Sequence, residues 1–358
     1  MDIKILSLIV KNSGALEDVK IDFTNAGAAQ SIVVLGGANG SGKTTVLELI
    51  FSLIELLKFG EVSRKHTNTG LTGIFNYTEY AELELLIDTK KHNIFIYHGS
   101  QSFNKELYQN KHGLVHQLFA DHSIEKSYIH KSEFTGNLCH IITFEQSKLV
   151  SSLFDKKNPV KSDVILSSPL ISSSIVPLPL PSTIYFPHNR ELLPVKGEQI
   201  HKEEIKYQWC YRYKNKPSFH GSLESYLIWL DYAEPEEFKV ISDFMNQLDF
   251  GGKTFHINRK ELSVIVRTKN GQHSFDKLSS GEQNILIMLL ELYRRLRPGS
   301  IVLIDEIENS LHPAFYHHLA QNLLKLQKQI PFQLILTTHQ LTFVKIFGED
   351  CTRILTEF

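Results

Sequence analysis

The sequence predicts an α/β fold: a mixed sheet core, an antiparallel β lobe and a short helical arm. Three observations predict it. Short apolar runs at 31–35, 301–304 and 333–336 lead into glycine, a carboxylate pair or histidine, as buried parallel strands do on reaching a site. Alternating runs near the start of the chain and after residue 252 read as hairpins. A serine-capped helical stretch, Ser280–Arg295, stops at Pro298-Gly299 just before one of the apolar runs.

Taken in order, Ile3–Asn12 and Val19–Phe23 are expected to pair through a turn at Gly14. Ser31–Leu35 runs into Gly36-Gly37 and reads as a strand feeding a turn. Thr44–Lys58 has helical spacing with no Gly or Pro, and Tyr80–Asp88 and Asn93–Tyr97 alternate like strands. Residues 100–161 are polar and histidine-rich with mixed signals, and 167–182 is an uncharged Ser/Pro/Leu stretch expected as a linker. Thr183–Phe186 returns to the core, stopped by Pro187. From Glu191 to Phe250 the pattern is mostly helical, with a break at Lys214–Gly221. Lys253–Arg267 and Gln272–Phe275 read as strands. Helix Pro313–Gln329 and strand Phe332–Thr337 complete the core. The expected division is one composite head: 1–99, an insertion and linker at 100–182, a core strand at 183–190, an arm at 191–252 and a closing lobe at 253–358.

A chain of 358 residues can bury a full core, and a net charge of -1 names no partner. Nucleic acid, if bound, would be met by a local basic surface. Three scattered cysteines argue against a disulfide framework and fit a reducing cytoplasm. Asp2 and Lys4 interrupt the first apolar run, so it reads as a strand and not a signal peptide. Val46–Leu57 carries Glu48 and Glu55 and is too short to span a membrane.

Four motifs carry chemistry. Gly37-Ala38-Asn39-Gly40-Ser41-Gly42-Lys43-Thr44-Thr45 follows a strand and opens a helix, the context that a phosphate-binding loop requires. Its amides and the helix dipole would hold the phosphates of ATP, Lys43 would reach the β- and γ-phosphates, and Thr44 would ligate Mg²⁺. At the end of Ile301–Ile304, Asp305 would hold Mg²⁺ and Glu306 would orient or deprotonate the attacking water. Leu278-Ser279-Ser280-Gly281-Glu282-Gln283 opens a helix and makes a second anion site, with Ser279 or Ser280 as its cap. His339 follows an apolar strand.

The order of these motifs resembles the ABC-type ATPase superfamily. Leu311-His312-Pro313 after the acidic pair, and Glu282 within the serine string, are similar to its RecF, SMC and OLD branch. The resemblance implies an ATP-dependent homodimer. Residues Ser279, Ser280, Gly281 and Glu282 of one copy would close on ATP held by the other, and His339 would contact the γ-phosphate. The arm has no room for a long coiled coil and the residues after His339 leave no length for a TOPRIM nuclease domain, so the expectation is a stand-alone head acting through a separately encoded effector such as a nuclease, or on DNA or RNA. DNA repair and antiviral defence are the expected settings. A transporter motor subunit is the alternative reading, and Glu282 counts against it. The family's glutamine after a core strand is missing from Pro187-His188-Asn189-Arg190; one of the last three residues stands in for it, or Gln146 does. Two further clusters stand apart. His112, His116, His122, His130 and His140 with Cys139 read as a solvated insertion or, at His112 and His116, a metal pair. Lys202, Lys206, Arg212, Lys214 and Lys216 interleave with Tyr207, Trp209, Tyr211 and Tyr213, as a nucleic-acid face or as inward-packed aromatics.

Overall fold

The computed structural model describes residues 3–56, 73–74, 77–87, 92–99, 126–134, 137–145, 181–203, 208, 210–248, 250 and 252–355. The first strands, β1 (Ile3–Ser13) and β2 (Leu16–Asp22), form the expected hairpin, and a small ribbon follows, β3 (Thr24–Asn25) with β4 (Ala28–Ala29). Next come β5 (Ile32–Gly37) and helix α1 (Lys43–Leu56). Four strands follow: β6 (Thr78–Ile87), β7 (His92–Gly99), β8 (Lys126–Phe134) and β9 (Asn137–Glu145). They join the first hairpin in an antiparallel sheet of order β2-β1-β6-β7-β9-β8. The hairpin β8–β9 lies within the stretch whose sequence gave no clear period.

The parallel sheet is assembled from distant segments. β10 (Thr183–Phe186), β11 (Cys210–Arg212), β15 (Ser300–Ile304), β16 (Phe332–Thr338) and β17 (Thr352–Leu355) combine with β5 in the order β11-β10-β15-β16-β5-β17. Between them run α2 (Leu223–Ala233), α3 (Pro235–Gln247), the three-stranded sheet β12 (Thr254–Asn258), β13 (Ser263–Thr268) and β14 (Gly271–Ser274), and α4 (Ser280–Arg295). α5 (Tyr316–Gln329) precedes β16, and α6 (Leu341–Phe347) precedes β17. Among the described residues no helix is long and apolar enough to cross a membrane.

Strand alternation divides the core in two. Val33, Leu35, Tyr185, Ile301, Leu303 and Ile335 face α1 and the antiparallel sheet. Their neighbours Val34, Ile184, Phe186, Val302, Ile304, Leu334 and Leu336 face the other cluster, with α2, α4 and α5. A sheet covered on both faces needs the near-continuous apolar strands seen here, and β15 and β16 are buried at every position. One polar residue in β16 joins the layers. Gln333 accepts from the Ile5 amide at 2.6 Å and donates to the Ile5 and Gln30 carbonyls, each at 3.0 Å. It thereby satisfies the backbone of β1 beside a break in the β1–β6 register between Ile5 and Ser7.

The helical reading of 191–252 is corrected ahead of its expected break: residues 191–203 are irregular and Cys210–Arg212 is a strand paired in parallel with β10, while 213–222, irregular too, contains the break expected at Lys214–Gly221. Pro194, Gly197 and Pro217 break any helix there, and a Cβ at Gly197 would meet the Leu262 carbonyl at 2.6 Å. Helix begins at Leu223, behind the Ser222 cap. α2 packs inward, burying Tyr226, Leu227 and Leu230 in the core. The aromatics of this region also pack inward. Tyr213 is buried, Arg295 stacks on Tyr211 at 3.6 Å, and Arg212 pairs with Glu48 of α1 while lying over Phe51 and Tyr185. Those contacts favour packing over a nucleic-acid face for Arg212, Tyr211 and Tyr213; Lys206, Tyr207 and Trp209 lie outside the described residues. So do His112, His116, His122 and Gln146, while His130, Cys139 and His140 lie on β8 and β9.

In the first turn of α2, Glu224 is buried and accepts the Val264 amide at 2.7 Å. Burial pushes its carboxyl up to about 7; the Val264 bond works against this and Asp276 adds to it. The folded chain therefore binds this proton more tightly than the unfolded chain does. The contribution to stability is full below the ordinary glutamate range and is lost as pH rises through about 7. Glu224→Gln should flatten that part of the melting-temperature profile between pH 5 and 8, with the variant gaining on the native chain at the alkaline end.

Candidate nucleotide site

β5 ends where the sheet meets α1, so the loop 37–42 lies at the carboxyl edge of the parallel strands. Gly37 cannot carry a side chain: its φ is 152°, and a Cβ would press on the Leu355 carbonyl and lie 2.7 Å from Ser41 Oγ. Gly42 has φ 86°, and a Cβ there would lie 2.6 Å from Leu16. Ala38, Asn39 and Gly40 are exposed, and Thr45 is half-buried in the first turn of α1. The Lys43 ammonium is tucked under the loop, donating to the carbonyls of Gly37 at 2.9 Å and Ala38 at 2.6 Å. Burial holds its pKa below the usual lysine range, while Glu306, Glu308 and Asp305 pull the other way.

Asp305 is fully buried at the end of β15. Thr44 Oγ1 donates to its two carboxylate oxygens at 3.1 and 3.0 Å, and Thr337 Oγ1 donates to Oδ1 at 2.8 Å. His188 Nδ1 stands 3.6 Å from Oδ2. Of the three residues considered in place of the missing glutamine, His188 alone is shown against this carboxylate. Arg190 is buried, and its guanidinium is bonded to the Asp305 and Glu306 carbonyls at 2.8 and 3.0 Å.

Glu306 is half-buried and has a left-handed backbone, φ 44°, with its amide donating to Thr337 Oγ1 at 2.7 Å. His339 is exposed at the end of β16, and its amide donates to Glu308 Oε1 at 2.5 Å. Glu308 also accepts from Thr338 at 2.7 Å. It was missed in the sequence because a carboxylate two residues past an acidic pair has no motif of its own.

The start of α4 forms a second locus. Ser279 is the cap, and with Glu282 it forms a full capping box. Ser279 and Ser280 are exposed. Glu282 is buried; burial opposes its charge, yet bonds from Lys253 and from the amide and hydroxyl of Ser279 hold its carboxyl below the usual range. Lys253 Nζ reaches both oxygens, at 2.9 and 2.8 Å. The Glu282 carboxylate thus serves the cap, and Ser279 and Ser280 are the exposed members of the string, while Gly281 is buried. Gly281 packs against the loop after Glu306: a Cβ would lie 2.7 Å from the Ser310 carbonyl.

Thr44 and Asp305 supply hard oxygen donors at one point, and Gly37 and Gly42 let the loop turn closely against Leu355 and Leu16. That donor set fits a magnesium–nucleotide pair.

Residues 198–345 match a family model described as "AAA domain, putative AbiEii toxin, Type IV TA system", and residues 7–168 match a second, "AAA domain". Both matched models describe AAA domains, one towards each end of the chain. It is 36% identical over 111 residues to an Escherichia coli protein named "Retron Ec83 probable ATPase", a match covering 28% of this chain and 20% of that one. The matched segment thus spans about a fifth of the relative's length. Among solved structures, an SMC head domain from Thermotoga maritima is 13% identical, with a TM-score of 0.40 over 96% of this chain and 92% of that one. The dimeric bacterial ABC transporter cassette MJ0796 is 13% identical, with a TM-score of 0.36 over 99% and 94%.

Gly281→Ala should displace the 309–311 loop and strain its ties, the Asn284 bond to the Asn309 carbonyl and the Leu311 bond to the Glu308 carbonyl. We expect a loss of about 1–3 kcal/mol in urea unfolding, with fluorescent-nucleotide affinity at the 37–44 loop changed less than threefold.

Proposed function

We propose that this chain binds ATP with Mg²⁺, hydrolyses it, and works as a pair in which each copy closes on the other's nucleotide. One observation carries the proposal: Thr44 meets Asp305 at 3.0–3.1 Å directly beside a buried lysine in a glycine loop, with Glu306 next in the chain. Thr44 and Asp305 would hold the cation, and His188 would stand beside it. When bound, Mg²⁺ supplies positive charge that offsets the triphosphate. Lys43 would exchange its loop carbonyls for phosphate oxygens. Glu306 would take a proton from the attacking water as the bond to the γ-phosphorus breaks, giving ADP and phosphate. His339 would serve the same phosphate from the neighbouring strand.

The pairing is supported by where the start of α4 is tied. Gly281 packs on the Ser310 carbonyl and Asn284 donates to the Asn309 carbonyl at 2.7 Å, so the string is held by the loop leading away from Glu306. Exposed Ser279 and Ser280 are then available to a nucleotide on a second copy. The output, on this reading, is a separately encoded effector in defence against phage, with a nuclease as the favoured class. The retron and toxin–antitoxin descriptions of the matched proteins support that direction. The setting is cytoplasmic, and DNA or RNA would be engaged through the partner or an arm surface.

Glu306→Gln should keep nucleotide binding, lower phosphate release by roughly 10²–10⁴-fold, and elute as a dimer on a sizing column with ATP and Mg²⁺. A variant that stays monomeric at saturating nucleotide contradicts the pairing.

A further inference from the structure

The turn after β10 holds a buried cation that, among the described residues, is bonded to main-chain carbonyls and an amide oxygen and to no carboxylate. Arg190 is 4% exposed, and burial brings its pKa down to about 10, so it is charged at neutral pH. Its Nη1 donates to the carbonyls of Phe186 at 3.4 Å, Pro187 at 2.7 Å and Asp305 at 2.8 Å; Nη2 donates to the Glu306 carbonyl at 3.0 Å. Nε donates to Asn284 Oδ1 at 3.3 Å. Every nitrogen of the guanidinium is therefore used, and its planar fork spans two strand ends at once.

We propose that Arg190 is the positioning residue for Glu306, and that Asn284 connects that positioning to the start of α4. The inference rests on the reading above that Glu306 acts on water. For a non-glycine residue to hold φ 44°, the surroundings must fix both of its peptides. Thr337 fixes the amide of Glu306, and Arg190 fixes its carbonyl together with the Asn309 amide. Arg190 holds the preceding carbonyl, of Asp305, with the same guanidinium. Without that grip the Glu306 carbonyl keeps the turn bond from the Asn309 amide at 2.9 Å and the Ile307 amide its bond to the Thr337 carbonyl at 3.1 Å, but the Asp305 carbonyl loses its guanidinium donor and the two strand ends are no longer clamped together, so the Glu306 carboxylate is held less tightly in place.

Asn284 is 2% exposed and works in both directions. Its oxygen accepts from Arg190, and its amide donates to the Asn309 carbonyl. Asn309 in turn donates to the His188 carbonyl at 2.6 Å, closing a ring through the turn that carries Arg190. One turn of α4 separates Asn284 from Gly281 and Ser280. A shift at the start of α4 therefore has a short polar route to the catalytic carboxylate.

The test is Arg190→Lys, with Asn284→Ala as the second variant. Lysine keeps the charge, but a single ammonium cannot bridge both strand ends. Fluorescent-nucleotide affinity, binding stoichiometry and phosphate release are measured on the full chain with Mg²⁺. Arg190→Lys should keep the dissociation constant within twofold while kcat per bound nucleotide falls at least tenfold; Asn284→Ala should show the same split at about threefold. A merely structural role would lower the stoichiometry and leave kcat per bound nucleotide unchanged. Wild-type kcat per bound nucleotide in folded Arg190→Lys overturns the proposal; if that variant does not fold, the same result in Asn284→Ala does so. Native protein that binds ATP and releases no phosphate overturns the hydrolytic reading, and this inference with it.

Discussion

A carboxylate buried at the end of a central strand must be compensated, and the compensation of Asp305 organises the site. The residue is fully buried, and an ionised group without partners there would cost several kcal/mol. Its partners come from three different segments: Thr44 at the start of α1, Thr337 in β16 and His188 after β10. Arg190 holds its main-chain carbonyl from the same turn as His188. Meeting the needs of one side chain thus fixes the start of α1, the acidic strand end and β16 against each other.

The sheet beneath makes this possible. Parallel strands deliver their carboxyl ends to one edge, and burial on both faces leaves no freedom in register. Side chains of odd and even parity fill separate cores, so a one-residue slip of β15 would drive Leu303 into the wrong layer and move Asp305 off its partners. Gln333 ties the antiparallel sheet onto this frame through the Ile5 backbone.

The parts of the site within single short segments were legible from the sequence. The glycine loop, the strand into Asp305-Glu306, the Ser279 cap and the strand into His339 each carry a local period or a fixed spacing. What was not legible depends on residues far apart. Lys253 completes the Glu282 cap from 29 positions away, and Arg190 reaches Asn284 across 94. Neither lies in a pattern that a window of sequence contains. The reading of 191–213 as helix failed because apolar and aromatic spacing there reflects an edge strand and inward-packed loop residues such as Tyr213. β17 was missed for a related reason: a four-residue strand at the sheet edge has too little pattern to stand out, and its pairing with β5 is non-local.

The account turns on one triphosphate being enclosed by two copies. The most direct measurement is a structure of Glu306→Gln determined with ATP and Mg²⁺. It should show phosphates on residues 37–44, the Lys43 ammonium moved off the Gly37 and Ala38 carbonyls, and Ser279–Gly281 of the second copy against the same γ-phosphate. A nucleotide-filled assembly in which those serines face away from every triphosphate would contradict it.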